Sequence, residues 1–406
     1  MLAEIAIPVV VFTGIVVVLA AFVLAARRSL EPTGVVTITV DGEGALEVDA
    51  GEKLLWALAA QGFFLPAACG GRGACGQCRV TVRAGAEPAL PTEIAQLSSA
   101  EIEAGARLAC MLKVRAPLTI TLPQAARDVQ RLDCTVLTTR SVSVYLKELV
   151  LKLPEERRLH FAAGAYVLVE VPPGRVAFRD FPLDATYRAE WQRNGLLGLV
   201  CDTRATAVRA YSLANPPQED DRIALIVRIA TPPATAPGAP PGHASSYLFS
   251  LEPGASVAVS GPFGDFRASD NDKEMVLIAG GAGIAPIRSI VLDQLARGTG
   301  RKMSLWYGVR DQLDLCYERE FRELAAGHAN FEFHVALSSP RRGEPWTGPT
   351  GFIHRVAYEQ YLDRHAAPQD VEYYLCGPPL MTAAVTQMLE ELEVPRESVF
   401  FDDFGA

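Results

Sequence analysis

Apolar residues run without a charge from Ile5 to Ala26, a stretch of 22 positions. Wound as a helix it measures roughly 33 Å, enough to cross the hydrocarbon core of a bilayer. Pro8 falls in the first turn, where a missing N–H is tolerated. Arg27 and Arg28 follow at once, while the leading segment carries Glu4 and no basic side chain. Basic residues stay on the cytoplasmic side, so the N-terminus is expected outside and the rest of the chain inside. A cleaved signal peptide would need a basic leader and a shorter apolar core, and both are missing. The pattern predicts a single transmembrane anchor over residues 1–28.

The rhythm then changes three times. Residues 34–127 open on an alternating strand (Val36, Ile38, Val40). A helix over Glu52–Gln61, a Gly/Cys loop, a strand at Cys78–Val82, a helix near Glu101–Leu108 and a strand at Leu118–Leu122 follow. That order predicts a small mixed sheet wrapped around a helix. Residues 128–267 read as short strands at Cys134–Leu137, Lys147–Leu153, Tyr166–Val171, Val208–Leu213, Ile223–Ile229 and Ser256–Ser260, with turns between them. Many short strands with turn signals predict an antiparallel β-barrel. The Pro/Gly/Ala-rich stretch Thr231–Gly242 is a loop. Residues 272–406 alternate strand and helix: Met275–Ala279, a helix from Ile284, Met303–Tyr307, a helix at Tyr317–Ala325, Phe331–Ala336, Tyr373–Cys376, a helix at Leu380–Leu392, and Val399–Phe401. Such alternation predicts an α/β domain on a parallel sheet with right-handed crossovers. The whole is multidomain.

The formal net charge of −9 argues against nucleic acid, whose phosphates call for basic clusters. It says little about anionic cofactors, which local arginines and helix N-termini can hold. Of the eight cysteines, four cluster by spacing, while Cys134, Cys201, Cys316 and Cys376 are scattered. That is not a disulfide framework.

The cluster is Cys69-Gly-Gly-Arg-Gly-Ala-Cys75-Gly-Gln-Cys78, with Cys110 after 31 intervening residues. Three thiols on a glycine-rich loop plus a distant fourth is how one chain holds a [2Fe–2S] cluster. Gly70, Gly71, Gly73 and Gly76 let the backbone turn tightly around an inorganic core and aim N–H groups at sulfur. Structural zinc is the competing reading, but zinc ribbons use two Cys-x2-Cys hooks and only Cys75/Cys78 has that spacing. The block resembles the plant-type ferredoxin domain, which implies a β-grasp fold. The first gap is five residues where the plant type has four. Adrenodoxin-like ferredoxins share the five, so the cluster type stands while its potential is left open.

Arg209-Ala210-Tyr211-Ser212 follows a strand start at Val208. A guanidinium fork suits a diphosphate, an aromatic gives a flat apolar wall, and a small hydroxyl can serve a ring nitrogen without blocking approach. Gly242-His-Ala-Ser245-Ser246 opens a helix, whose first N–H groups are free to bind phosphate. Gly261-Pro-Phe-Gly264 comes next. The three elements, in this order, resemble the ferredoxin–NADP reductase superfamily and imply FAD. By that resemblance Arg209 pairs with the pyrophosphate, Tyr211 packs on the isoalloxazine, and Ser212 hydrogen-bonds near N5, the hydride acceptor.

Gly280-Gly281-Ala282-Gly283-Ile284-Ala285-Pro286 lies between a strand and a helix. It departs from the usual dinucleotide fingerprint by ending in proline. It matches the reductase superfamily, where this loop receives the nucleotide pyrophosphate. Cys376-Gly377-Pro378-Pro379 ends a strand, and the resemblance implies that Cys376 lies beside the nicotinamide; the alternative is a buried core thiol. Arg310 and Asp311 end the second strand, where an adenosine ribose is read. Arg310 suits a 2′-phosphate and Asp311 repels one, so the residues leave NADH and NADPH open. Phe404, near the C-terminus, is the candidate aromatic over the flavin face, with plain core packing as its alternative.

The order of anchor, ferredoxin block, FAD barrel and NAD domain resembles the F subunits of the sodium-translocating NADH:quinone oxidoreductases. So do the insertion from Asp180 to Arg204 and the terminal Asp402-Asp403-Phe404-Gly405. The resemblance covers essentially the whole chain and implies NADH, an inner-membrane location with the catalytic domains in the cytoplasm, and membrane partner subunits. It implies hydride transfer to FAD, then single electrons to the cluster and on to a quinone-reducing partner. One anchor without an intramembrane charge is no ion path, so any sodium pumping would belong to the partners. The alternatives are the reductase component of an oxygenase, and an iron–sulfur module without turnover.

Overall fold

In the computed structural model, residues 12–23, 34–124, 126 and 129–402 are described. The chain divides into two compact units, residues 1–65 with 71–127, and residues 128–406 with the short piece 66–70. Residues 12–23 form a helix whose apolar side chains are all exposed. Among the described residues, no helix is long and apolar enough to cross a membrane. The rest of the expected anchor, with Glu4, Pro8, Arg27 and Arg28, lies outside the described residues, as does Phe404.

The first unit carries a five-stranded sheet. Its strands are β1 (Val35–Val40), β2 (Gly44–Asp49), β3 (Arg79–Ala84), β4 (Ala106–Leu108) and β5 (Leu118–Thr121), in the order β2-β1-β5-β3-β4. Helix α1 (Leu54–Ala60) buries Leu54, Leu55, Ala57 and Leu58. Two short helices, α2 (Pro91–Ile94) and α3 (Ser99–Glu103), follow β3. A capping box starts α3: Ser98 Oγ accepts the Glu101 N–H, and the Glu101 carboxylate accepts the Ser98 N–H at 2.8 Å. The helix expected over Glu101–Leu108 is corrected here, because it stops at Glu103 and the chain enters β4. Gly105 makes the break: it stands at φ +89°, and a Cβ there would lie 2.6 Å from the Val82 carbonyl. Strand β2 was not foreseen.

The second unit begins with β6 (Gln130–Ser141), β7 (Leu146–Lys152) and β8 (Tyr166–Val171). The antiparallel pair β9 (Gly174–Ala177) and β10 (Val200–Thr203) comes next, then β11 (Ala207–Ser212), β12 (Arg222–Arg228) and β13 (Ser256–Phe263). Six of them form one antiparallel sheet in the order β11-β8-β13-β6-β7-β12. A bridge between Leu213 and Leu225 joins its two ends into a barrel. Alternate residues fill the interior, among them Leu132, Cys134, Val136, Val167, Val169, Leu225 and Val227. Burying each large aliphatic side chain contributes roughly 1.5–3 kcal/mol. The β9/β10 pair and the helix α4 (Ala185–Arg193) between its strands lie in and beside the Asp180–Arg204 stretch. Helix α5 (His243–Ser250) follows the Pro-rich loop.

The remainder is a parallel sheet of β14 (Met275–Gly280), β15 (Met303–Val309), β16 (Phe331–Leu337), β17 (Glu372–Cys376) and β18 (Val399–Asp402), in the order β16-β15-β14-β17-β18. Helices α6 (Ile284–Ala296), α7 (Glu318–Gly327), α8 (Ile353–Gln360) and α9 (Pro379–Glu391) flank it. Alternation along β14 sends Leu277 and Ala279 to one core with Ile284, Ile287 and Ile290 of α6. It sends Val276 and Ile278 to the other with Val385 and Leu389 of α9. Both faces are covered, so β14 reads as a continuous apolar run.

Candidate functional site

The cysteine loop is held by its neighbours' backbone. Strand β3 pairs with β4 so that Arg79 faces Leu108, and the Ala109 N–H donates to the Cys78 carbonyl at 2.8 Å. The Cys78 and Cys110 thiols therefore come within hydrogen-bonding reach. That hydrogen bond, with burial behind it, pushes the Cys78 thiol well above its ordinary pKa, and Cys75 is close enough to add to the shift. Cys69 and Cys110 are fully buried. Gly70, Gly71, Gly73 and Gly76 all have φ between +66° and +83°, in the left-handed region. A Cβ on Gly71 would lie 2.8 Å from the Trp56 ring, and one on Gly73 would lie 2.7 Å from Met111 Sδ. Arg79 Nε donates to the Gly76 carbonyl at 2.9 Å. Beneath Cys110, Arg107 closes a buried two-pronged pair on Glu93 at 2.9 and 2.7 Å, and Glu93 Oε1 also accepts the Leu108 N–H at 3.0 Å. Burial raises the Glu93 pKa, but Arg107 and these N–H groups outweigh it and hold the carboxyl below its usual range.

A tight glycine loop lined by buried thiols fits a thiolate-bound iron–sulfur core. Among the described residues, no three Cys, His, Asp or Glu side chains converge on a point that could hold one metal ion. A two-iron cluster takes its thiolates in pairs and does not need such a point.

In the barrel, β11 lies against β8 with Arg209 opposite Val169 and Ser212 opposite Tyr166. Arg209 and Tyr211 share one face, Arg209 exposed and Tyr211 half-buried, while Ser212 is buried on the other. Arg209 Nη1 rests on the Val208 carbonyl at 2.8 Å. Burial pushes the Tyr211 phenol up and keeps it neutral. Ser212 Oγ donates to Asp402 Oδ2 at 3.3 Å. Asp402 ends β18 and is buried, so the parallel sheet reaches the flavin-motif strand through its last described residue. Gly242 caps α5, and a Cβ there would lie 2.6 Å from Ala230. The Ser245 and Ser246 hydroxyls both donate to the Gly242 carbonyl, at 3.1 and 2.8 Å, and Ser245 also accepts the Ala230 N–H. Their hydroxyls shape the helix start, and the first-turn N–H groups are what it offers to a phosphate. His243 Nε2 lies 2.7 Å from Thr203 Oγ1 and 2.9 Å from the Pro172 carbonyl. The exposed arginine, the apolar ring, the buried hydroxyl and a helix start kept bare by glycine fit a flavin dinucleotide.

The nucleotide loop is closed by contact. Ala279 pairs with Cys376 in parallel register. A Cβ on Gly283 would lie 2.0 Å from the Cys376 carbonyl, so only glycine lets the loop after β14 lie against the end of β17. Met381 packs its thioether against Gly280 and Gly377. Pro286 sits in the first turn of α6. The Tyr307 hydroxyl donates to the Gly281 carbonyl at 3.2 Å and lies 3.1 Å from Cys316 Sγ. Cys376 is fully buried, as are the three scattered thiols Cys134, Cys201 and Cys316. Burial pushes Cys134 and Cys316 up to about 12 and raises Cys201. Arg310 pairs with Asp314 at 3.0 Å, and Asp311 with Arg341 at 2.7 Å. Barrel and parallel sheet are joined through Tyr317, whose hydroxyl donates to Glu148, and Arg288, which pairs with Glu320 at 2.6 Å and donates to the Ala214 carbonyl at 2.6 Å.

Asp402, Met381 and His243 were not among the expected site residues. Met381 carries no signal in its spacing, while His243 and Asp402 lie inside the Gly242–Ser246 and Asp402–Gly405 runs but find their partners, Thr203 and Ser212, far away in sequence.

Three family models match the chain: a 2Fe-2S iron–sulfur cluster binding domain over residues 38–115, an oxidoreductase FAD-binding domain over 196–268, and an oxidoreductase NAD-binding domain over 277–387. The F subunit of the Na(+)-translocating NADH-quinone reductase of Klebsiella pneumoniae is 47% identical over 405 residues, covering 99% of this chain and 100% of that one. That of Neisseria meningitidis is 46% identical over 403 residues, with the same coverage. This chain belongs to the family of these F subunits. Its cofactors are accordingly FAD, NADH and a [2Fe–2S] cluster. Among solved structures, an Amycolatopsis cytochrome P450 reductase matches with a TM-score of 0.63 at 27% identity, over 91% of this chain and 98% of that one. The ferredoxin reductase of a carbazole 1,9a-dioxygenase matches with a TM-score of 0.61 at 24% identity, over 92% and 99%. The F subunits and these oxygenase reductases thus share one fold, and the full-length identity favours the former.

Proposed function

We propose that this chain is the NADH-oxidising subunit of a membrane-bound, sodium-pumping NADH:quinone oxidoreductase. The observation that carries the reading is the 46–47% identity to F subunits over the full length of both chains. The Ser212–Asp402 hydrogen bond supports it by joining the flavin-motif strand to strand β18, the neighbour of the strand that ends in Cys376. When bound, FAD supplies two-electron acceptance of hydride from NADH and one-electron release, and the [2Fe–2S] cluster supplies one-electron relay.

The chain's own residues bind and orient. Cys69, Cys75, Cys78 and Cys110 hold the cluster as thiolates. Arg209 pairs with the FAD diphosphate, aided by the α5 N-terminus at Gly242, and Tyr211 covers one ring face. The Ser212 hydroxyl, its hydrogen directed at Asp402, presents its oxygen to the hydride-accepting nitrogen, with Asp402 fixing its rotamer. Gly280, Gly281 and Gly283 admit the nucleotide diphosphate, and Cys376, Gly377 and Pro378 align the nicotinamide. Phe404 shields the flavin until the nicotinamide stacks. Ile5–Ala26 is a single-pass anchor, the helix of residues 12–23 is its middle, and domains 34–127, 128–267 and 272–406 lie in the cytoplasm. The partners are membrane subunits that carry the quinone and sodium sites.

The full chain, purified from membranes, should lose its flavin absorbance on anaerobic addition of NADH and then show the EPR signal of a reduced two-iron cluster. A zinc-containing, EPR-silent protein would sink the reading.

A further inference from the structure

Asp311 follows the end of β15, beside the nucleotide loop, because Gly308 pairs with Gly280 in parallel register. In such sheets an acidic side chain at this place takes the ribose 2′-hydroxyl. Both Asp311 oxygens are engaged. Oδ1 accepts the Leu313 N–H at 2.9 Å, and Oδ2 accepts Arg341 Nε–H at 2.7 Å. The other two guanidinium nitrogens of Arg341 close on Glu190, Nη1 to Oε2 at 2.8 Å and Nη2 to Oε1 at 3.0 Å.

Glu190 belongs to α4, on the barrel side, 151 positions earlier, and is only 7% exposed. It also accepts Asn194 Nδ2 at 3.0 Å and pairs with Arg193. Glu344 holds the Arg341 backbone, accepting its N–H at 2.9 Å, and accepts the Gln312 N–H at 2.9 Å. The neighbouring Arg310 is spoken for by Asp314 and lies 5.6 Å from the Tyr145 ring centre. Two guanidinium groups therefore stand at the ribose end, and each is committed to a carboxylate. A free arginine fork is what a 2′-phosphate would bind.

We propose that Glu190 is a specificity-determining residue: by occupying the Arg341 fork it denies that fork to a 2′-phosphate and sets the site for NADH over NADPH. This rests on the assignment of the β15 end to the ribose. Glu190 is in this role a positioning residue that acts through Arg341, by withholding an attraction from the wrong ligand.

The test is anaerobic flavin reduction by NADH and by NADPH in the full chain carrying FAD and cluster. Glu190→Gln keeps the side-chain shape and removes the charge. The NADPH:NADH ratio of kcat/KM should then rise roughly tenfold or more, through the KM for NADPH, and the gain should shrink with added salt. Arg341→Gln should lower the ratio, because Asp311 then faces the 2′-phosphate unmasked. In the double variant the gain should vanish. A merely structural ion pair would move flavin content and melting temperature and leave the ratio alone. A ratio unchanged in folded Glu190→Gln, or raised in Arg341→Gln, overturns the proposal. If Glu190→Gln does not fold, Glu190→Ala read for the same rise in the ratio decides. Asp311→Asn separates the two layers. If it leaves the KM for NADH untouched, the ribose assignment is wrong; if it raises that KM while Glu190→Gln leaves the ratio fixed, only the role of Glu190 falls.

Discussion

In the cysteine loop, three of four thiols lie between Cys69 and Cys78, and the fourth is delivered by one strand pairing, β3 with β4. At the flavin and nucleotide end, Ser212 meets a carboxylate 190 positions away, and Asp311 is tied through Arg341 to Glu190. The first site is written in a local spacing that only left-handed glycines can follow. The second is assembled by folding, from residues whose local surroundings give no sign of it. Local sites should therefore fail outright when one ligand is lost, whereas assembled sites should degrade by degrees.

The sharpest contrast is expected from Cys69→Ala. It should abolish the cluster's EPR signal while NADH still bleaches the flavin; parallel loss of flavin reduction would break the comparison. Next comes Gly283→Ala, which places a methyl 2.0 Å from the Cys376 carbonyl. Overpacking of this kind costs about 3 kcal/mol. It should appear as a lower denaturant midpoint together with a raised KM for NADH. Ser212→Ala should slow flavin reduction roughly a hundredfold, as loss of a positioned hydrogen-bonding group at a reacting centre does. Asp402→Asn should slow it less, with KM unmoved; stopped-flow absorbance reads both, and an Asp402→Asn effect confined to KM would detach that residue from the serine.

The smallest effect is one of acidity. Arg341, against the opposing effect of burial, holds the Glu190 carboxyl down at about 2 from an ordinary 4.5. A depressed folded-state pKa gives stability that is complete above 4.5 and is lost as pH falls toward about 2. Denaturant midpoints measured down this window should fall more steeply in the native chain than in Glu190→Gln. Parallel curves would show that the pair contributes nothing.

Most strands of the barrel and the parallel sheet were legible because β-branched and aliphatic runs there are long and flanked by turns. Strand β2 was not, since Gly44-Ala-Leu-Glu-Val-Asp has only two large apolar residues and gains its place by pairing with β1. The mistaken helix over Glu101–Leu108 has good helical residues, and Gly105 together with the Arg107–Glu93 pair overrides them. Helix α4 is polar, and only its fold-level contacts, such as Trp191 Nε1 donating to the Val144 carbonyl at 2.7 Å, show why it is there. The motif residues Cys69–Cys78, Arg209–Ser212 and Gly280–Gly283 could be read because glycine and cysteine spacing encodes backbone shape directly. The contacts of Asp402, Met381 and Glu190 could not, even though Asp402 stands in the terminal run that carries the resemblance, because a side chain carries no record of its distant partner.

The four scattered thiols bear on how such a protein is matured. Cys134, Cys201, Cys316 and Cys376 are all sealed from solvent, and the first three are held in the protonated form by that burial. Half of the chain's cysteines, four of eight, are thereby shielded from the oxidants made when a reduced flavin meets oxygen. Depth does not set the cluster thiols apart, since Cys69, Cys78 and Cys110 are just as buried. What makes one loop the address at which a cluster can be built is convergence, because the loop and the β3–β4 pairing bring Cys75, Cys78 and Cys110 together before any iron arrives.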